Sequence, residues 1–391
     1  MVVELQNEDE AKRLVSRAVL IKEITELWMD AANPIILHQC LQSSKDIANR
    51  LAKYQSSSFK FIIKSTGVTL STKQQVERFE EFRWMPLDGA VSMKSPDVTF
   101  MIYDHFGFKD THIEKNPDDL KRVYFGVLVA QGNRHIVNKF DLKKRVYLGT
   151  TSMDAELSLV MANQALATRG SFVLDPFVGT GSFLVSCSHF GAYTIGADID
   201  GRQIRGSEDK NIDANAKQYN LESFILGSVV CDVAHHPWRY NVEIWDAIVC
   251  DPPYGVRAGA RRLGSNPKTK YFDSPVKPNG ELRYPQTVNY EMQDVISDLV
   301  QFAATYLVPG GRLVYWLPTM NDEYKPQDIP VHPRMVLISN SEQKFGKWSR
   351  RLITMEKNDS PFSLENLSLC DLTSKRMGHT RFRERYFNLE E

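Results

Sequence analysis

The chain has 391 residues, 42% apolar and 25% charged, the balance of an ordinary soluble globular protein with room for two or three cores. No apolar run approaches a membrane span, no amino-terminal signal pattern is visible, and the five cysteines (Cys40, Cys187, Cys231, Cys250, Cys370) form no Cys-x-x-Cys pair. This excludes a membrane protein and a structural zinc site and fits a reducing, cytoplasmic compartment, while a net charge of zero excludes a uniformly basic nucleic-acid binder.

Residues 1–56 read as a partial α/β unit. Glu8 to Ala18 has helical composition, Ala18 to Ile24 is strand-like, and a second helix is predicted from Leu41 to Tyr54, starting near Ser43 and Ser44. Residues 57–147 read as a compact α+β unit. Phe59 to Lys64 alternates as a half-buried strand does, Thr72 to Glu80 is helical, and Val98–Tyr103 and Val123–Val129 are further strands. Residues 148–168 link these to the rest. Thr151 followed by Asp154 resembles a capping box, and Leu157, Val160, Met161 and Ala165 recur at helical spacing. The amino end of that helix, Ser152 in particular, is placed to meet an anion.

Residues 169–358 alternate strand and helix. Phe172-Val173-Leu174 runs into Asp175-Pro176-Phe177-Val178-Gly179-Thr180-Gly181 and then a helical stretch from Ser182. This is the strand, glycine turn and helix of a nucleotide-type pocket at the carboxyl edge of a parallel sheet. A phosphate cradle fails on chemistry. No Lys-Ser/Thr pair follows the glycines, the third glycine of a dinucleotide fingerprint is missing, and Asp175 repels a pyrophosphate. An acid there suits a cationic ligand with an ammonium group, such as S-adenosylmethionine. A second strand, Ala192–Asp198, ends in Asp198 and Asp200, placed for ribose hydroxyls. A helix is predicted from Arg202 to Gln218 and a strand over Phe224–Val230. Asp232 just after that strand is either the acceptor of an adenine amino group or a turn acid.

Trp245 to Cys250 is a strand that ends in Asp251-Pro252-Pro253-Tyr254-Gly255, 76 residues after Asp175. Consecutive prolines force the chain out of the sheet and aim a carboxylate, a carbonyl and an aromatic ring into one crevice. Those three features suit a planar amine on a base. A loop rich in Gly, Pro and Arg then runs to Asn289 and reads as a substrate loop. A helix over Glu291–Tyr306, a strand over Arg312–Leu317 and an antiparallel pair at Met335–Ile338 and Arg351–Met355 complete seven strands with a terminal hairpin. Residues 359–391 form a tail.

Cations cluster despite the zero net charge. Lys121, Arg122, Arg134, Lys143, Lys144 and Arg145 are among seven between Leu120 and Tyr147, against the single Asp141. Arg257, Arg261 and Arg262 are among five between Val256 and Lys270, with no acid. Lys344, Lys347, Arg350 and Arg351 make a third group. Any one cluster is ordinarily a solvated face; three favour a phosphate-backbone footprint.

The Tyr147–Ser158 stretch, Asp175–Gly181, His189-Phe190-Gly191-Ala192-Tyr193, Asp198-Ile199-Asp200, Asp251–Gly255, Gly310–Pro318 and Ser349–Lys357 together resemble one family. It is the THUMP-domain class I methyltransferases that form the catalytic subunit of eukaryotic tRNA (guanosine-10-N2)-methyltransferase. The resemblance covers roughly residues 10–357. It implies an α/β fold: a Rossmann-like methyltransferase sheet over residues 169–358, preceded by a ferredoxin-like unit at 1–56 and a THUMP RNA-binding domain at 57–147. It also implies tRNA as substrate and a small zinc-binding activator subunit as partner, with no metal in this chain. Family members begin with a further strand–helix unit that is absent here, and they carry Gly-Gly where this chain has Gly181-Ser182.

The expected cofactor residues are Asp175, Phe177, Gly179, Thr180, Gly181, Asp198, Asp200, Asp232 and Ser152. The expected catalytic residues are Asp251, Pro252, Pro253 and Tyr254. Asp251 and the Pro252 carbonyl take the two hydrogens of a guanine amine, and Tyr254 stacks on the flipped base. The alternatives are an adenine-N6 methyltransferase, which shares Asp-Pro-Pro-Tyr, and a non-catalytic RNA-binding protein. The intact acids argue against the second, and the amino-terminal half against the first.

Overall fold

The structure, a computed structural model, describes residues 1–107, 119–240, 242–255, 260–264 and 286–359, together with Phe382 and Tyr386. It divides into two compact units, Met1–Arg134 and His135–Glu391. Among the described residues no helix is long and apolar enough to cross a membrane.

In the first unit, α1 (Glu8–Arg17) is capped by Asn7 and closes when the Ala18 amide bonds the Leu14 carbonyl. Residues 18–22 therefore finish a helix and turn. The strand expected over 18–24 begins only at its end, as β1 (Glu23–Ala31). Asn33 caps α2 (Pro34–Ser43), a helix not expected, and Ser44 caps α3 (Lys45–Ala52), where the expected helix starts. Asn33-Pro34 is a recognised start signal that the sequence reading passed over. Next come β2 (Phe59–Thr66), α4 (Thr72–Glu80) with a Ser71/Gln74 capping box, β3 (Val98–His105) and β4 (Arg122–Gln131).

The sheet order is β1-β4-β3-β2, with β2 and β3 parallel and the other pairs antiparallel. Strand β1 finds its only ladder on β4, so residues 1–56 and the strands after them share one sheet instead of forming two units. Leu37, Leu41, Ile47 and Leu51 pack with Phe82, Phe100 and Phe125, whose rings stack at 5.3 and 5.9 Å.

The second unit opens with α5 (His135–Lys139) and α6 (Ala155–Gln164). Asp154 itself caps α6, accepting from the Glu156 and Leu157 amides at 2.9 and 3.3 Å, so Thr151 is left outside the helix. Strands and helices then alternate: β5 (Phe172–Asp175), α7 (Ser182–His189), β6 (Tyr193–Asp198), α8 (Gly201–Arg205), α9 (Ile212–Tyr219), β7 (Ile225–Val230) and β8 (Trp245–Cys250). The helix expected from Arg202 to Gln218 breaks after Arg205, where Gly206 takes φ 54° and Asn211 caps a fresh start.

A short hairpin, β9 (Arg261–Leu263) with β10 (Thr287–Asn289), precedes α10 (Met292–Tyr306), β11 (Leu307–Met320), β12 (Met335–Phe345) and β13 (Trp348–Lys357). The seven-stranded sheet runs β12-β13-β11-β8-β5-β6-β7. All neighbours are parallel except β13, which is antiparallel to both β11 and β12. This is the class I methyltransferase-type sheet with a terminal hairpin that the strand pattern predicts.

Alternate residues of the strands build two cores. One carries Val295, Leu299 and Ala303 of α10; the other carries Met161 of α6 and Phe183 and Cys187 of α7. The chain thus leaves β5 toward one face and its neighbour β8 toward the other. A crevice opens between their carboxyl ends, where doubly wound sheets bind ligands.

Candidate active site

At one side of that crevice β5 ends on Asp175, 1% exposed. Its Oδ1 accepts from the Phe177 amide at 3.0 Å and so starts the turn. Gly179 (φ 48°) and Gly181 (φ 83°) then take left-handed conformations, and Gly181 caps α7 without a side chain in the way. The neighbouring strand closes the turn from outside. Asp198 Oδ2 accepts from the Gly179 amide at 3.0 Å, while its Oδ1 accepts from the Asp200 amide at 2.8 Å. Asp200 holds Arg202 by a two-pronged ion pair, with both bonds at 2.8 Å.

The stretch before α6 folds onto the glycine turn. Ser152 and Thr180 hydroxyls share a hydrogen bond of 2.8 Å, and Ser152 Oγ also accepts from the Gly149 amide at 2.9 Å. Ser182 accepts from the Met153 amide at 3.2 Å and from Arg145 at 3.0 Å. Ser152, Thr180, Gly179, Gly181, Asp175 and Asp198 are thereby brought together, with Phe177 half-buried beside them.

Asp232 lies elsewhere in the network. Its Oδ1 accepts from Ala234, and its Oδ2 from the Leu263 amide at 2.8 Å and His235 at 3.1 Å. The carboxylate is engaged by its own chain and ties the β9–β10 hairpin to the turn after β7.

At the other side β8 ends on Asp251. Pro252 is buried, Pro253 and Tyr254 are half-buried, and the Tyr254 hydroxyl donates to Asp251 Oδ1. Electrostatics here are unusual. Burial raises the Asp175 pKa well above the carboxylate range, and the only charges acting on it, Asp198 and Asp251, push the same way. Burial pushes Asp251 up to about 6, against the pull of Tyr254 and Arg350. Asp198 is raised too, by burial above all. Three carboxylates face one crevice, and among them only Asp251 has a nearby cation.

Residues 1–134 match the family described as the Tmrp11 THUMP N-terminal domain, and residues 143–266 match the RMKL-like methyltransferase domain. The tRNA (guanine(10)-N(2))-methyltransferase of Schizosaccharomyces pombe is 39% identical over 99% of this chain and 80% of its own. The enzyme of that name from Homo sapiens is 37% identical over 99% of this chain and 86% of its own. The chain belongs to the tRNA (guanine(10)-N(2))-methyltransferase family. Among solved structures, TrmN from Thermus thermophilus aligns with 87% of this chain and 84% of its own at 17% identity and a TM-score of 0.41.

In this family member the cations expected to meet RNA fall in both units. Lys121 and Arg122 are exposed in the first, where Arg122 also pairs with Asp30, and Arg134 donates to the Val19 carbonyl at 3.0 Å. In the second, Lys143 and Lys144 are exposed. Arg145 is not a surface cation: it is 6% exposed and anchors on Ser182, so that expectation is corrected. Arg261 braces the β9–β10 hairpin through Thr287 and Asn289, and Arg262 lies over the Tyr290 ring. Arg257 lies outside the described residues.

Two residues near the Asp251 turn were not expected there. Phe382, 1% exposed, sets its ring edge-on to Tyr254 at 6.5 Å and also packs on Trp348. Its one signal was the four-residue spacing to Tyr386, which puts two aromatics on one helical face. The other is Arg350.

Proposed function

We propose that this chain, with S-adenosylmethionine as cofactor and a small zinc-binding activator subunit as partner, methylates the exocyclic N2 amine of guanosine 10 in tRNA. The convergence of Asp175, Asp198 and Asp251 on one crevice carries the reading. Burial raises the pKa of all three, and Asp198 and Asp251 push Asp175 further the same way; a bound cation relieves this. S-adenosylmethionine brings both an ammonium and a sulfonium group, and when bound it supplies an electrophilic methyl.

The site residues then divide the work. Asp175, Asp198, Phe177, Gly179, Thr180, Gly181 and Ser152 hold the cofactor against the glycine turn, with Asp200 at its rim. On the other side, the guanine amine is a poor nucleophile because its lone pair is delocalised into the ring. Asp251 and the Pro252 carbonyl accept its two hydrogens and turn the lone pair toward the methyl, while Pro253 fixes the turn and Tyr254 stacks on the extruded base. The N–C bond forms as the sulfur–methyl bond breaks, and Asp251 takes the amine proton. With a pKa near neutrality and far more burial than a surface acid, Asp251 suits that role. Lys121, Arg122, Arg134, Lys143, Lys144, Arg257, Arg261 and Arg262 are the cations we assign to tRNA phosphates. The free thiols Cys40, Cys187, Cys231 and Cys250 suit the reducing cytoplasm in which we place the protein.

The test is labelled-methyl transfer to tRNA transcripts carrying guanosine or adenosine at position 10, with and without the activator subunit. Transfer to the guanosine transcript alone, and only with the partner, is expected. Equal transfer to both transcripts moves the target to another nucleotide, and full activity without the partner removes the two-subunit reading.

A further inference from the structure

Arg350 belongs by sequence to the cluster Lys344, Lys347, Arg350 and Arg351, which reads as a phosphate footprint. The fold turns it inward. It lies on β13 opposite Pro318 of β11, and β11 runs parallel to β8, with Tyr315 level with Cys250. Arg350 therefore stands beside the catalytic turn, two strands across. Its guanidinium carbon lies 4.3 Å from the centre of the Trp316 ring and 5.4 Å from that of Phe345. Its Nε donates to Gln343 Oε1 at 2.7 Å. A cation stacked on an indole and tied at Nε has few conformations left. Its charge bears on the Tyr254 hydroxyl, which donates to Asp251.

We infer that Arg350 is a positioning residue for methyl transfer: stacked on Trp316 and tied to Gln343, it sets a permanent positive charge beside the Tyr254–Asp251 hydrogen bond and favours the ionised carboxylate there. The inference rests on the reading of Asp251 as the group that receives the amine proton. The other titratable groups nearby carry no positive charge: burial raises the pKa of Asp175 on the β5 turn and of the Cys250 thiol on β8, so both tend to hold their protons. Among the described residues Arg350 is the cation acting on Asp251 and, with the Tyr254 bond, opposes burial. A phosphate contact would instead leave the guanidinium at the surface and unstacked.

The experiment uses the full chain with activator subunit and tRNA, comparing R350Q, R350K, Y254F, R350Q/Y254F and D251N. Single-turnover rates are followed between about pH 5.5 and 9, alongside cofactor affinity, tRNA affinity against salt, and melting temperature. We expect R350Q to move the acid limb of the rate upward by about one pH unit, which lowers the rate about twofold at pH 7 and close to tenfold at about pH 5.5. Cofactor affinity and the salt slope of tRNA binding stay as in the parent. R350K, which keeps the charge, returns most of the limb, and Y254F has a smaller effect in R350Q than alone. A rate lowered equally at every pH, with the limb unmoved, overturns the inference, as does a reduced salt slope, which would mark a phosphate contact. If D251N loses turnover while the R350Q limb stays put, the inference fails alone. If D251N turns over normally, the reading of Asp251 fails and this inference with it.

Discussion

Asp175 shows what the cofactor crevice asks of one residue. Its carboxyl is buried, bonded to one backbone amide and faced by two more acids, so its folded pKa stands above its unfolded value. The sign of the linkage follows. Between the two values the folded chain holds a proton that the unfolded chain has released. Whatever stability this group contributes is present below the unfolded pKa and lost as pH rises through the folded one. At mildly alkaline pH the ionised Asp175 is a liability that only a cationic ligand offsets. Asp175→Asn keeps an acceptor for the Phe177 amide and removes the charge. Without ligand, the variant is expected to melt about 2–4 °C higher than the parent at pH 8, with a smaller difference at pH 5. Its affinity for S-adenosylmethionine falls by about a hundredfold, since an ammonium or sulfonium loses a charged partner. Scanning calorimetry at the two pH values and titration calorimetry read both effects. A variant that melts lower at pH 8 means the carboxylate stabilises the free fold, contrary to this account.

At the scale of elements, legibility followed distance along the chain. Asp175, Gly179, Gly181 and Asp251 were readable because each closes a strand whose apolar run precedes it in sequence, and local chemistry says what a strand end can bind. Strand Trp245–Cys250 and helix Thr72–Glu80 have the bounds that alternation and capping predict. Where partners lie far apart the pattern is silent. Nothing near Asp232 says that Leu263 will claim it, nothing near Arg145 says that Ser182 will, and β1 slid forward because β4, about a hundred residues on, fixes its register.

Phe382 is the extreme case. Its ring backs Tyr254 and Trp348, so the wall of the catalytic turn depends on a residue far beyond the sheet. Phe382→Ala removes that backing. The expected result is a fall of about tenfold in single-turnover rate, the scale set by a small misplacement of a reacting group, with cofactor affinity unchanged. Stopped-flow transfer assays and cofactor titration on the same sample check it. A loss of cofactor affinity as large as the loss of rate would mean that Phe382 supports the whole unit instead of the turn.

At the scale of the molecule, the two units have separate hydrophobic cores, one rich in phenylalanine around the four-stranded sheet and one double core around the seven-stranded sheet. The division falls at Arg134, not at the 147 expected from sequence. Residues 135–147 go with the second unit because Gln218 and Asn215 hold the backbone amides of Val146 and Tyr147, and Gln218 also bonds the Lys144 carbonyl. Every residue we assign to cofactor or chemistry, from Ser152 to Asp251, therefore lies in the second unit, as does Arg350. The first unit, residues 1–134, matches a THUMP domain.

A fragment of residues 135–391 is therefore expected to fold, to bind S-adenosylmethionine within about threefold of the full chain, and to lose at least about tenfold in tRNA affinity at 0.15 M salt. With a net charge of zero, the full chain has no long-range pull on RNA to compensate. Its tRNA affinity should fall with salt at a slope set by a handful of phosphate contacts, and the fragment's slope should be shallower by the cations that left with the first unit, Lys121 and Arg122 foremost. Filter binding across a salt series and cofactor titration of both proteins decide it. A fragment that binds tRNA as tightly and with the same slope would put the RNA surface wholly on the methyltransferase unit and leave the first unit without the role assigned to it.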